Sequence, residues 1–83
     1  MYKVLIERQA MKQLAKIPDP DKQKITEALG KLAVNPRPHG YIKLNGRPGY
    51  RIRVGDYRII YNINDGVLTV MILLIGNRKN VYE

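Results

Sequence analysis

The chain has 83 residues, with 15 Lys and Arg against 7 Asp and Glu, a net charge of +8, one His and no Cys. That length allows one domain with a modest core, the lack of Cys excludes disulfides and thiolate chemistry, and so few His and carboxylate groups argue against a dedicated metal site. The longest apolar run, residues 67–75 with Thr69 inside it, is too short to cross a bilayer, and the N-terminus Met1-Tyr2-Lys3 lacks a signal-peptide core, so a cytoplasmic protein without membrane contact is expected.

Residues 2–7 hold Val4, Leu5 and Ile6 and read as a strand. Over residues 8–17 the spacing turns helical, with Ala10, Met11, Leu14 and Ala15 on one side. Pro18 and Pro20 end this helix and start another, with Asp19 the expected N-cap and Pro20 the first helical residue. Ile25, Ala28, Leu29, Leu32 and Ala33 give the second helix its apolar face. The run Asn35-Pro36-Arg37-Pro38-His39-Gly40 breaks it and forms a loop, where His39 is read as a loop residue. The Lys-rich backs of both helices are read as facing solvent.

Residues 49–54, 57–63 and 67–75 then read as strands. Gly55-Asp56 and Asn64-Asp65-Gly66 separate them and are hairpin signals. The expected fold is α+β: an N-terminal strand, then a two-helix hairpin packed on one face of an antiparallel sheet formed with a C-terminal three-stranded meander. Residues 1–83 form a single domain. The first strand is expected to pair with the final one, which is apolar on both faces and so belongs inside the sheet.

The positive charge changes character along the chain. Residues 1–40 carry six Lys and two Arg against four acids; residues 41–83 carry two Lys and five Arg against three, so each part nets +4. Lys is a hydrated point charge, whereas the planar Arg fork matches phosphate. Five of the six Tyr also fall after residue 40, and Arg with Tyr is the vocabulary of nucleic-acid contact.

A two-residue Gly55-Asp56 turn sets Val54 opposite Tyr57, Arg53 opposite Arg58, Ile52 opposite Ile59 and Arg51 opposite Ile60. Opposed residues share a face. Tyr50, Ile52, Val54, Tyr57, Ile59 and Tyr61 then meet the helices, while Arg51, Arg53 and Arg58 cluster on the other face. Like charges in register repel, so an anion held between the forks is the natural resolution. Arg78 and Tyr82, if the tail folds over the same face, add a cation and a phenol whose ionised form nearby guanidinium groups favour. Such a Tyr would act as base towards a ribose 2′-hydroxyl, and the arginines would stabilise charge on the phosphate. That reaction needs neither metal nor cofactor.

These residues also carry a resemblance. The segment Lys43-Leu44-Asn45-Gly46-Arg47-Pro48-Gly49-Tyr50-Arg51-Ile52-Arg53-Val54-Gly55-Asp56-Tyr57-Arg58-Ile59-Ile60-Tyr61 and the ending Ile75-Gly76-Asn77-Arg78-Lys79-Asn80-Val81-Tyr82 resemble the RelE/ParE toxin superfamily. The resemblance implies a type II toxin–antitoxin toxin that binds the ribosome and cuts mRNA in its A site, held in check by a small acidic RelB-like antitoxin. By motif it implies catalytic roles for Arg51, Arg53, Arg58, Arg78 and Tyr82. Arg58 would stabilise the phosphate, Tyr82 would be the base, and Arg78 would be the acid or a contact to the leaving oxygen. Lys43, Arg47 and Lys79 are further RNA-contact candidates, although Lys43 and Arg47 equally suit a solvated loop. The best-known members carry Lys where this chain has Arg51 and Arg53, which shifts the expected role from proton donation to electrostatics, and many relatives carry His at the place of Asn77. Two rivals use the same fold: a ParE-like gyrase inhibitor without RNA cleavage, and a nucleic-acid-binding module without catalysis.

Overall fold

The computed structural model describes residues 1–77. Its elements run β1 (Lys3–Ile6), α1 (Arg8–Ala15), α2 (Asp21–Val34), β2 (Ile42–Lys43), β3 (Tyr50–Val54), β4 (Tyr57–Asn64) and β5 (Thr69–Asn77). The strands form one sheet in the order β1-β5-β4-β3-β2. The expected α+β architecture is present, with β1 joined to an interior β5. Among the described residues no helix is long and apolar enough to cross a membrane.

The sheet is mixed rather than antiparallel throughout, because β1 lies parallel to β5. The direction follows from the return stroke of α2. Its end comes back to the start of β1, where the Tyr2 N–H donates to the Ala33 carbonyl at 2.7 Å. β3 and β5 are both antiparallel to β4, so β3, β5 and β1 all run in one direction. The short β2, read as loop in the sequence, pairs Ile42 with Arg51 and Lys43 with Tyr50.

Two helix details differ from the sequence reading. The core side of α1 is Ala10, Leu14 and Ile17, while Met11 is 51% exposed and Ala15 faces out. Ala10 and Leu14 are four apart and Ile17 follows three later, so these three, not 10/11/14/15, make one stripe. Asp19 does not cap α2. Pro20 holds the cap position without a side-chain bond, its carbonyl accepts from the Lys24 N–H, and that of Pro18 accepts from Lys22. The helix ends at Val34 because Asn35, extended at φ −143°, precedes Pro36, whose ring disfavours a helical residue before it.

α1 packs on β5, and α2 on β1 and β3. Between helices and sheet lie Ile25, Leu29, Leu32, Ile52, Ile59, Tyr61, Val70, Ile72 and Ile75. Each aliphatic side chain fully buried there contributes roughly 1.5–3 kcal/mol. The Tyr61 hydroxyl finds a partner in this core by donating to the Pro36 carbonyl at 2.7 Å, and burial pushes its pKa up to about 12. An exposed clasp ties three distant segments together. Asp65, in the turn between β4 and β5, accepts from the Tyr2 hydroxyl at 2.6 Å and from both terminal nitrogens of Arg37, at 2.9 and 3.3 Å.

One irregularity sets what β5 presents. Ile60 pairs with Leu74 but Tyr61 pairs with Ile72, so Leu73 is an extra residue in the ladder. A bulge of this kind reverses the alternation beyond it. Val70 and Ile72 face the helices before it, and Ile75 does so after it.

Candidate functional site

The turn at Gly55-Asp56 holds Gly55 at φ +59°, and glycine takes this positive angle without steric cost at the first central position of a two-residue hairpin. The register is the one read from the sequence: Tyr50 opposite Tyr61, Arg51 opposite Ile60, Ile52 opposite Ile59, Arg53 opposite Arg58 and Val54 opposite Tyr57. Arg51, Arg53 and Arg58 therefore share the sheet face away from both helices. Gly76 lies opposite Arg58 on the other side of β4 and adds no side chain beside it.

The three arginines differ in environment. Arg53 is exposed, Arg58 half-buried, and Arg51 only 5% exposed. Arg51 sits in register between Ile42 of β2 and Ile60 of β4, which accounts for its burial. A second small apolar cluster forms on the same face, from Leu44 and Ile60 with Leu73 and Leu74 against them. Gly49 closes the loop that carries Leu44. It holds φ +123°, its carbonyl accepts from the Leu44 N–H at 3.0 Å, and a Cβ there would stand 3.2 Å from Leu44 Cδ1. Burial, then the charges of Arg58 and Arg53, depress the pKa of Arg51. All three effects disfavour charge at Arg51, and a bound phosphate oxygen offsets each of them.

Arg47, exposed in the loop between β2 and β3, lines a pocket with Tyr57, Leu74, Gly76 and Asn77, and so stands near Arg58. Lys43 is not brought to this cluster. It pairs with Tyr50 and shares that residue's face, towards the helices. Arg78, Lys79 and Tyr82 lie outside the described residues. Among the described residues there is no group of three or more His, Asp or Glu side chains that could hold a metal ion. The covering of Arg51 has no signature in the sequence, because the two-residue β2 responsible for it is too short to show a period.

This five-stranded sheet, backed on one face by two helices, is shared with toxin structures. The chain matches with a TM-score of 0.84 and 32% identity the toxin in an archaeal RelE–RelB complex from Pyrococcus horikoshii, covering 96% of this chain and 98% of that one. The toxin–antitoxin complex RelBE2 from Mycobacterium tuberculosis matches at 0.81 with 30% identity, covering 93% and 98%. The intact Escherichia coli RelBE complex matches at 0.81 and 24% identity, over 93% and 96%, a likeness of fold. A search of curated proteins finds no match. The family described as ParE toxin of type II toxin–antitoxin system, parDE, matches residues 4–82. The chain belongs to this family, within the RelE/ParE superfamily of type II toxins.

Proposed function

We propose that this toxin is a RelE-type endoribonuclease that cuts mRNA on the ribosome. The observation that carries the reading is Arg53 directly opposed to Arg58, with the buried Arg51 beside them on the face away from the helices. Three cations concentrated this way repel one another and suit a phosphate that gains charge during reaction.

In this reading the ribose 2′-oxygen attacks the adjacent phosphorus, its proton passing to Tyr82 acting as phenolate. The O2′–P bond forms as the P–O5′ bond breaks, leaving a 2′,3′-cyclic phosphate, and the 5′-oxygen takes up a proton with Arg78 in contact with it. Arg51, Arg53 and Arg58 hold the phosphate oxygens and stabilise the charge that builds there. Arg remains protonated at neutral pH, so the triad acts through its field. Arg47 and Lys79 extend the contact to RNA beyond that phosphate, whereas Lys43, on the other face, takes no part in it. Several of the solved relatives are toxin–antitoxin complexes, RelE–RelB and RelBE2 among them, which supports a cognate antitoxin as the partner that restrains this chain in the cytoplasm.

Primer extension on mRNA from cells expressing the toxin tests the reading. The wild type is expected to produce discrete cuts within translated frames. The Arg58→Ala/Tyr82→Phe double variant, still folded, is expected to produce none. Cutting and growth arrest undiminished in the double variant would refute the site. The matched family is described by its ParE members, which favours a second reading, inhibition of DNA gyrase. Gyrase-dependent DNA breaks with mRNA left intact would establish that one instead.

A further inference from the structure

We propose that the groove between α1 and the far end of β5 is a nucleotide-binding subsite, which holds the RNA that flanks the scissile phosphate. The proposal rests on the RNA-cleavage reading and extends its binding surface around the edge of the sheet.

β1 accompanies β5 only as far as Ile72, so residues 73–77 have no β1 strand beside them. α1 takes that place, and the Gln13 Oε1 accepts the Ile75 N–H at 2.8 Å. A pocket of about 480 Å³ lies there, lined among others by Gln13, Lys16, Arg47, Tyr57 and Asn77. That volume falls in the range of small-ligand sites. Its chemistry matches a nucleotide. Lys16 and Arg47 supply two cations for a phosphate. The Gln13 side-chain NH2, whose oxygen is held by Ile75, supplies donors for a base edge, and Tyr57 supplies a ring for stacking. Gly76 also lines the pocket and lies opposite Arg58, so the subsite adjoins the arginine cluster.

The charge on α1 is an independent observation pointing the same way. Arg8, Lys12 and Lys16 repeat every four residues, all exposed, and residues 8–16 contain no acid. Like charges at this spacing destabilise a helix, and Arg8 at its first position faces the positive end of the helix dipole. The Arg37–Asp65 ion pair lies elsewhere on the molecule, and among the described residues no acid forms an ion pair with the row. The row spans about 12 Å of helix and ends at Lys16, on the wall of the pocket. It forms a positive track leading to the arginine face, and a solvated helix back gains nothing from this arrangement.

The test is binding of a fluorescein-labelled, fully 2′-O-methylated heptaribonucleotide, which cannot be cleaved, measured by anisotropy at several salt concentrations. Lys12→Gln/Lys16→Gln is expected to weaken binding about tenfold and to lower the log–log salt slope by about 1.4, since each phosphate neutralised on a single strand contributes roughly 0.7. Lys22→Gln/Lys24→Gln removes the same charge from α2 and is expected to change affinity less than about twofold. Thermal unfolding monitors the fold of both. Equal losses in the two variants, no loss in either, or a wild type that leaves the probe free would each overturn the subsite. Failure of the wild type to cut mRNA, with the lysine contrast intact, would strike the cleavage reading and leave the subsite standing.

Discussion

Arg53→Glu should stabilise the protein while abolishing its activity. The substitution turns the cross-strand pair with Arg58 from like to opposite charge. Opposed charges in register contribute roughly 0.2–1 kcal/mol, and like charges cost a comparable amount. Arg53 is exposed, so solvent screens part of this swing, and a net gain of about 1 kcal/mol is expected at low salt. For a domain of this size that corresponds to a rise of about 4–8 °C in Tm. The Debye length falls from about 10 Å at 0.1 M to about 3 Å at 1 M, so the gain should shrink as salt is added. Thermal unfolding followed by circular dichroism at the two salt levels reads this directly, and primer extension reads the loss of cleavage. A Tm unchanged or lowered at low salt would refute the argument that the opposed arginines repel, and with it the reason for placing a phosphate between them.

Two further outcomes test the frame that holds this face. Tyr61→Phe removes the donor to the Pro36 carbonyl, leaves a buried acceptor unsatisfied and should cost roughly 1–3 kcal/mol in urea unfolding, with an unchanged slope. The Asp65 carboxyl is held below its usual range by the hydrogen bond from Arg37 and then by that from Tyr2. Its stabilisation is therefore complete above the unfolded carboxylate pKa, near pH 4, and is lost as pH falls through the lower folded value, because the unfolded state binds the proton first. Asp65→Asn should flatten that part of the acid-unfolding curve and lower stability at pH 7. An acid limb identical to the wild type would show that the clasp contributes nothing.

What the sequence makes legible is whatever repeats with a period or turns on a glycine. Tyr50-Arg51-Ile52-Arg53-Val54 alternates strictly and Gly55-Asp56 sets the turn, so the opposition of Arg53 and Arg58 follows from the residues themselves. Ile25, Leu29 and Leu32 mark the buried side of α2 in the same way. The stretch Val70-Met71-Ile72-Leu73-Leu74-Ile75 is apolar at every position, so it carries no phase, and the bulge at Leu73 leaves no trace. Nor does the burial of Arg51, which depends on a two-residue strand reached through a proline-rich loop. On α1, Met11 reads as core because an apolar side chain carries no label for its direction, and nothing in the local pattern marks Gln13 as the residue that bonds the backbone of β5. The groove it lines joins α1 to residues about 60 positions away, a separation that local pattern does not report.

The placement of β5 bears on how the molecule comes into being. It is made after every other described element, yet it lies between β1 and β4 and is, among the described strands, the one neighbour β1 has in the sheet. β1 must wait some 66 positions for its partner, since Lys3 pairs with Thr69, and pairings this distant in sequence close slowly. A nascent chain stopped before Thr69 would have two helices with no sheet to pack on at α1, a hairpin with one open side and a first strand with no partner. Folding of the sheet is thus deferred until β5 has been made, and the arginine face takes its shape only when β5 slots in. A chain cut short before β5 would carry the three arginines in its sequence without the sheet that sets them side by side.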